Sequence, residues 1–332
     1  MQVDFKSLGG LIAVLVMLFT SHVRASDGPL PSWNDVASKQ AILAFVAKIT
    51  DKDSPGFVPV PDRIAVFDND GTLWCEQPMY VQAAFVRDRI KAMAPDHPEW
   101  KQRQPFKALL ENDRAALAAS GEKGLVDLVT ATHAGMTSED FASLVRDWIA
   151  TATHPRFDRP YTTCVYQPML ELLAYLRANG FQTFIVSGGG VEFMRVWAES
   201  VYGIAPNQVV GSTVKMRYEL RGETPVLMRL PEVDFIDDHA GKPVSIGKFL
   251  GKKPIAAFGN SDGDQQMLEW TQGGSGARLM MLVHHDDAAR EWAYGPDSKI
   301  GTFSDALMAE AKKNAWTVIS MKDDWKKIFV GQ

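Results

Sequence analysis

Cysteine is nearly missing from this chain, with two in 332 residues. That excludes a small scaffold framed by disulfides and leaves room for one bridge at most, between Cys75 and Cys164. Positive charge is not in excess either: Lys+Arg 35 against Asp+Glu 40 gives a formal net charge of -5, which argues against a general nucleic-acid binder. The apolar run at 8–19 falls short of the roughly 20 residues that a membrane-spanning helix needs. Internal repeats and low-complexity tracts are absent. What the chain does have is 46% hydrophobic residues, enough to exclude a disordered chain, and a length that suits one large domain or two ordinary ones.

Lys6 precedes the apolar run, polar residues follow it, and Val23-Arg24-Ala25 places modest side chains at the -3 and -1 positions of a cleavage site. Residues 1–25 therefore read as a secretory signal peptide cleaved after Ala25, with a periplasmic or secreted mature chain and no membrane attachment once it is removed. No cysteine follows the run, which argues against a lipid anchor there.

In the mature chain, Ser32 reads as the N-cap of a helix over 33–50, with Asp35 in its first turn. The apolar run 64–67 then ends abruptly at Asp68-Asn69-Asp70-Gly71, as a buried parallel strand does when it meets a polar loop. From 78 to 153 the pattern is helical with no convincing strand. Strand signals resume at 182–186, 255–258 and 279–283 with helices between them, and alternation over 209–236 around Arg221-Gly222-Glu223 predicts a β-hairpin. A strand and then a helix over 316–329 close the chain. The expected fold is α/β: a Rossmann-like parallel sheet with helices on both faces over 26–77 and 154–332, carrying the hairpin, with an all-α cap of 78–153 inserted after the first core strand.

Three strand ends carry chemistry. Asp68 and Asp70 lie two apart, so both carboxylates can face one pocket before Gly71 turns the chain. Carboxylates that close imply a hard metal, a shared proton, or both, and suit a nucleophile beside an acid/base. Ser187-Gly188-Gly189-Gly190 follows the second strand and leads into a helix, where free N–H groups offer a seat for phosphate. Gly259-Asn260-Ser261-Asp262-Gly263-Asp264 follows a third strand, with oxygens able to complete a Mg²⁺ site. Lys242, near the start of a helix, is placed to pair with a nucleophile or a transferred group.

D-N-D-G-T at 68–72, S-G-G-G at 187–190, Lys242 and G-N-S-D-G-D at 259–264 occur in the order of the four signature motifs of the haloacid dehalogenase superfamily, and resemble its phosphoserine-phosphatase-like branch. The resemblance spans roughly residues 62–285 and implies a phosphatase acting on a small-molecule phosphomonoester. It makes Asp68 the nucleophile that becomes an aspartyl-phosphate and Asp70 the acid/base. Ser187 would bind phosphoryl oxygens together with Gly188, Gly189 and Thr72, and Lys242 would neutralise charge beside Asp68. Mg²⁺ would be held by Asp68, the Asp70 carbonyl, Asn260 and Asp264. Because Asp70 is present, dehalogenation is disfavoured. One departure stands out: Asn260 occupies a position where the family commonly has aspartate, so a negative charge is lost, and either Asp262 or Asp264 compensates or Mg²⁺ affinity falls. The same residues would also serve a phosphotransferase, and Asn260 favours a degenerate protein that only binds a phosphorylated ligand.

Glu76 has two readings, a carboxylate that reads the substrate or a structural residue at the cap hinge. Trp74 is expected to line the pocket. His284, His285, Asp286 and Asp287 run consecutively, which suits capping and rim roles better than a shared transition metal.

Overall fold

Ile64–Phe67 forms β1, and all four side chains are buried because β1 sits in the middle of a sheet covered on both faces. The computed structural model describes residues 28–331; the expected signal peptide lies outside the described residues. After α1 (Ala37–Thr50) and β1, the chain forms α2 (Val81–Met93), α3 (Phe106–Glu111), α4 (Arg114–Ala119), α5 (Gly121–His133) and α6 (Ser138–Thr151). It then alternates: α7 (Gln167–Ala178), β2 (Gln182–Gly190), α8 (Val191–Arg195), α9 (Ala198–Tyr202), β3 (Val209–Arg221), β4 (Thr224–Phe235), α10 (Gly241–Phe249) and β5 (Ala256–Gly259). Next come α11 (Gln265–Gln272), β6 (Leu279–His284), α12 (Asp305–Lys313), β7 (Thr317–Ser320) and α13 (Met321–Asp324). The sheet order is β4-β3-β2-β1-β5-β6-β7, parallel except for the β3–β4 hairpin.

Alternate strand residues divide the core in two. Phe67, Ile185, Phe258 and Met281 pack on the α1 and α7 side, where Phe67 and Phe258 stack with ring centres 4.5 Å apart. Val66, Val186, Ala257 and Leu282 pack on the other side with Ile246 of α10, Met267 of α11 and Leu307 of α12. Burying each such side chain contributes about 1.5–3 kcal/mol before the entropy of ordering it is counted. The α/β expectation is met, including the hairpin, whose turn uses Gly222 at φ +64°. Thr137 caps α6 as a capping box with Asp140. No helix among the described residues is long and apolar enough to cross a membrane.

Two boundaries differ from the sequence reading. The first helix begins at Ala37, four residues late, because Ser32 does not cap it: its N–H and hydroxyl both donate to Glu171, at 2.8 and 2.6 Å. Trp33 is buried against Trp325 and donates to the Pro168 carbonyl, so tertiary packing holds this stretch outside the helix and Asp35 ahead of its first turn. The second strand, expected to end at Val186, continues to Gly190, with a shift of register against β3 between Ser187 and Gly190. Ser187 thus pairs with Gly211 within the strand rather than lying in a loop beyond it.

Candidate active site

β2, β1 and β5 are neighbours, so their carboxyl ends bring Ser187, Asp68 and the 260–264 loop to one edge, the edge at which open α/β sheets bind ligands. The Asp68 N–H donates to the Phe258 carbonyl at 2.9 Å, which ties the end of β1 to β5. Lys242 enters from the first turn of α10. Gly241 makes room for that turn, since a Cβ there would stand 2.3 Å from the Ile236 carbonyl oxygen. The Lys242 Nζ donates to Asp68 Oδ1 at 2.7 Å and to Asp264 Oδ1 at 2.5 Å, and all three side chains are buried. Asp264 Oδ2 accepts from the N–H groups of Asn260 and Ser261, at 2.9 and 3.1 Å.

Burial works against the Lys242 ammonium, but Asp264 and Asp68 outweigh it and hold its pKa above the ordinary lysine value. Burial dominates at Asp68, opposed by Lys242 and reinforced by Asp264 and Asp70, and pushes its carboxyl up to about 8. Asp70 is also raised, by burial, against the opposing hydrogen bonds of Trp74 and Asn69. The Trp74 indole donates to Asp70 Oδ1 at 2.9 Å, so this ring orients Asp70 instead of only lining a wall.

Ser187 Oγ accepts from Gly189 N–H at 3.2 Å. The next N–H, of Gly190, donates to Oε1 of Gln82 on α2 at 2.7 Å. The Gln82 amide nitrogen lies 3.0 Å from His133 Nε2, and burial followed by Arg229 pushes the His133 pKa down to about 3, so the imidazole is neutral and accepts. This anchor of the glycine run was not legible in the sequence, where Gln82 is one polar residue of an ordinary helix.

Thr72 and Glu76 meet at Asn260. Both are buried and both bind Asn260: the Thr72 hydroxyl donates to Asn260 Oδ1 at 2.9 Å, and Asn260 Nδ2 donates to Glu76 Oε1 at 2.8 Å. Glu76 also takes the Tyr294 hydroxyl at 2.6 Å, and burial, then the nearby Asp70, Asp68 and Glu291, push its pKa well up against that bond. Gly71, at φ +76°, leaves the room this group needs, since a Cβ there would stand 2.1 Å from Asn260 Nδ2. Asp264, expected as a metal ligand, accepts from Lys242 through Oδ1 and from the loop backbone through Oδ2, so it also anchors the site. Asp262 Oδ1 accepts from Ser304 N–H at 3.0 Å. His285 braces the first loop through the Gly71 carbonyl at 2.7 Å. Asp286 and Asp287 serve Ser320 and Arg290 separately, in keeping with structural roles.

Among the described residues no three His, Cys, Asp or Glu side chains form a ready metal cage. The electrostatics nonetheless suit a hard cation. Asp68, Asp70, Glu76 and Asp264 are four carboxyl groups served by one lysine; burial holds the first three above their ordinary pKa, and neighbouring carboxylates add to it at Asp68 and Glu76. The Asp68 carboxylate, the Asp70 carbonyl and Asn260 Oδ1, which spends one lone pair on Thr72, are all oxygen donors.

No curated protein matches the chain. Among solved structures, a protein of unknown function from Anaerococcus prevotii shares 17% identity over 85% of this chain and 91% of its own, with a TM-score of 0.55. Another of unknown function, from Bordetella pertussis, shares 14% identity over 77% of this chain and 97% of its own, with a TM-score of 0.51. These likenesses show a shared fold. Residues 65–269, which contain every motif of the site, match the sequence profile of the haloacid dehalogenase-like hydrolases. The chain belongs to the haloacid dehalogenase-like hydrolase family.

Proposed function

We propose that this hydrolase is an exported, Mg²⁺-dependent phosphatase of the phosphoserine-phosphatase-like branch, which hydrolyses small phosphomonoesters through an aspartyl-phosphate. The observation that carries the reading is Lys242 bridging Asp68 and Asp264 with Asp70 two residues along the same loop. Export rests on the pattern of residues 1–25 alone.

In this reading an Asp68 oxygen attacks phosphorus, an O–P bond forms, and the ester bond to the leaving alcohol breaks. Asp70 donates the proton that the leaving oxygen takes up. It then removes a proton from a water that attacks the aspartyl-phosphate, which restores Asp68 and releases phosphate. A raised pKa suits Asp70, since it must hold its proton near neutral pH for the first step. Lys242 and the Ser187 hydroxyl stabilise the phosphoryl oxygens. Mg²⁺, held by the Asp68 carboxylate, the Asp70 carbonyl and Asn260 Oδ1, supplies further charge neutralisation when bound. Helices α2–α6 act as the cap that excludes water, and the Gln82–Gly190 bond is one point at which they hold the phosphate seat.

The test is phosphate release from an aryl phosphate and from a panel of natural phosphomonoesters, with Mg²⁺ and with chelator. Release that requires Mg²⁺ is expected, and no release from any member of the panel would sink the proposal. Added alcohols that end up carrying the phosphate would identify a transferase.

A pH prediction follows from Trp74. Its N–H favours the charged form of Asp70, so Trp74→Phe raises the Asp70 pKa further. The first step needs protonated Asp70, and the alkaline fall of kcat/KM is expected to move up by about one pH unit, the equivalent of one hydrogen bond to a charged group. An unmoved profile would take Asp70 out of the acid role.

A further inference from the structure

The two cysteines of the sequence stand 89 positions apart, on either side of the helical segment α2–α6. The structure brings them together through the backbone. Tyr166 N–H donates to the Leu73 carbonyl at 2.9 Å and Cys75 N–H donates to the Cys164 carbonyl at 3.1 Å, and between these two bonds Trp74 and Val165 pair antiparallel. One step along each strand from that pair, in opposite senses, places Cys75 directly across from Cys164.

One of the two bonds of a hydrogen-bonded antiparallel pair is made there, Cys75 N–H to the Cys164 carbonyl, while Cys164 N–H turns to the Tyr161 carbonyl at 2.9 Å; residues so placed have Cα atoms about 5.5 Å apart. A disulfide needs roughly 4.4–6.8 Å. Both side chains are buried, at 1% and 0% exposure, and the Cys75 thiol is raised first by burial and then by the Cys164 thiol beside it. Both are free thiols as the structure stands.

We propose that Cys75 and Cys164 are a disulfide site that staples the stem on which α2–α6 are carried. The two thiols give up two protons and two electrons and form one S–S bond; a small disulfide oxidant takes up both and leaves as two thiols. Closure occurs during folding, before burial seals the pair. The stem is where such a bond has most effect. It closes a loop containing all of α2–α6, and it lies one residue beyond Trp74, whose indole holds Asp70. The oxidised stem therefore keeps the outgoing strand, and Asp70 with it, in register with the returning strand. None of this depends on the phosphatase reading, only on the pairing of 73–75 with 164–166.

The experiment refolds the full chain in a mixture of reduced and oxidised glutathione and counts thiols in denaturant. No free thiol is expected before reduction and two after it, with a mass difference of about 2 Da and a cross-linked peptide joining Cys75 to Cys164. Reductant is expected to lower the melting temperature by roughly 10 °C, since the closed loop is long. The Cys75→Ser/Cys164→Ser protein should be indifferent to reductant. Two free thiols after oxidative refolding would overturn the proposal, and that measurement needs no variant to fold. A cross-link that forms without changing the melting temperature would overturn the stapling role.

Discussion

Asp68→Asn is expected to abolish turnover, by more than about a thousandfold, and to leave the fold at least as stable as the parent. The two halves of the expectation have one cause. Asn keeps an oxygen that can accept from Lys242 at the place where Asp68 Oδ1 now does, 2.7 Å away, so the lysine remains held between residues 68 and 264. What disappears is the charge. That charge is the nucleophile in the proposed reaction, and it is also a burden on the fold, because burial, Asp264 and Asp70 push the Asp68 carboxyl up to about 8 against the pull of Lys242. A carboxyl with a folded pKa above its unfolded value of about 3.9 contributes most stability when protonated, and that contribution is lost as pH rises toward the folded pKa. The stability advantage of Asp68→Asn should therefore be absent at pH 4 and widest near pH 8. Phosphate release together with urea midpoints at several pH values measures both halves. Appreciable turnover in a clean preparation would remove Asp68 from the nucleophile's role, and a variant unfolded at pH 8 would show that the charge is needed by the fold.

The motifs at 68–72, 187–190 and 259–264 were legible because a short buried strand shows itself twice, as an apolar run and as an abrupt polar stop. Residues Ile64 to Phe67 followed by Asp68 are the clearest case, and strand adjacency then placed three such stops at one edge. Lys242 stood out by its place at a helix start, and the order of motifs was needed to prefer it to Lys248 or Lys252. The partners of Gln82, His285 and Tyr294 were beyond reach. Each acts through a partner 108, 214 or 218 positions away, and such pairings leave no periodicity in the chain. Ser32 shows the opposite failure. Its local signal for an N-cap is sound, yet Glu171, 139 positions away, takes both of its donors and the helix begins later.

Asn260 is where local logic and the folded site part most sharply. Restoring the family's aspartate with Asn260→Asp looks like a repair of the metal site, but the structure predicts damage. Asn260 Nδ2 donates to Glu76 at 2.8 Å in a place with almost no water, and an aspartate there would face that carboxylate with a second acceptor. Glu76 has no room to withdraw: a Cβ on Gly301 would stand 1.7 Å from its Oε1, and Tyr294 holds that oxygen as well. An unpaired buried charge of this kind costs about 3–5 kcal/mol, less whatever a shared proton recovers. Asn260→Asp alone is therefore expected to melt well below the parent. Glu76→Gln should lose less, because its amide oxygen can still accept from Asn260. The double variant Asn260→Asp/Glu76→Gln recreates one carboxylate and one amide with their places exchanged, and it is expected to recover most of the loss. Melting temperatures of the four proteins and calorimetric titration with Mg²⁺ close the cycle, with a coupling of about 1–3 kcal/mol. If Asn260→Asp alone is as stable as the parent, the two side chains are not a pair. If the double variant recovers stability, the pair serves the fold whichever of positions 76 and 260 carries the carboxylate, and any change in Mg²⁺ binding reports where that charge sits, since an oxygen stands at position 260 in both proteins.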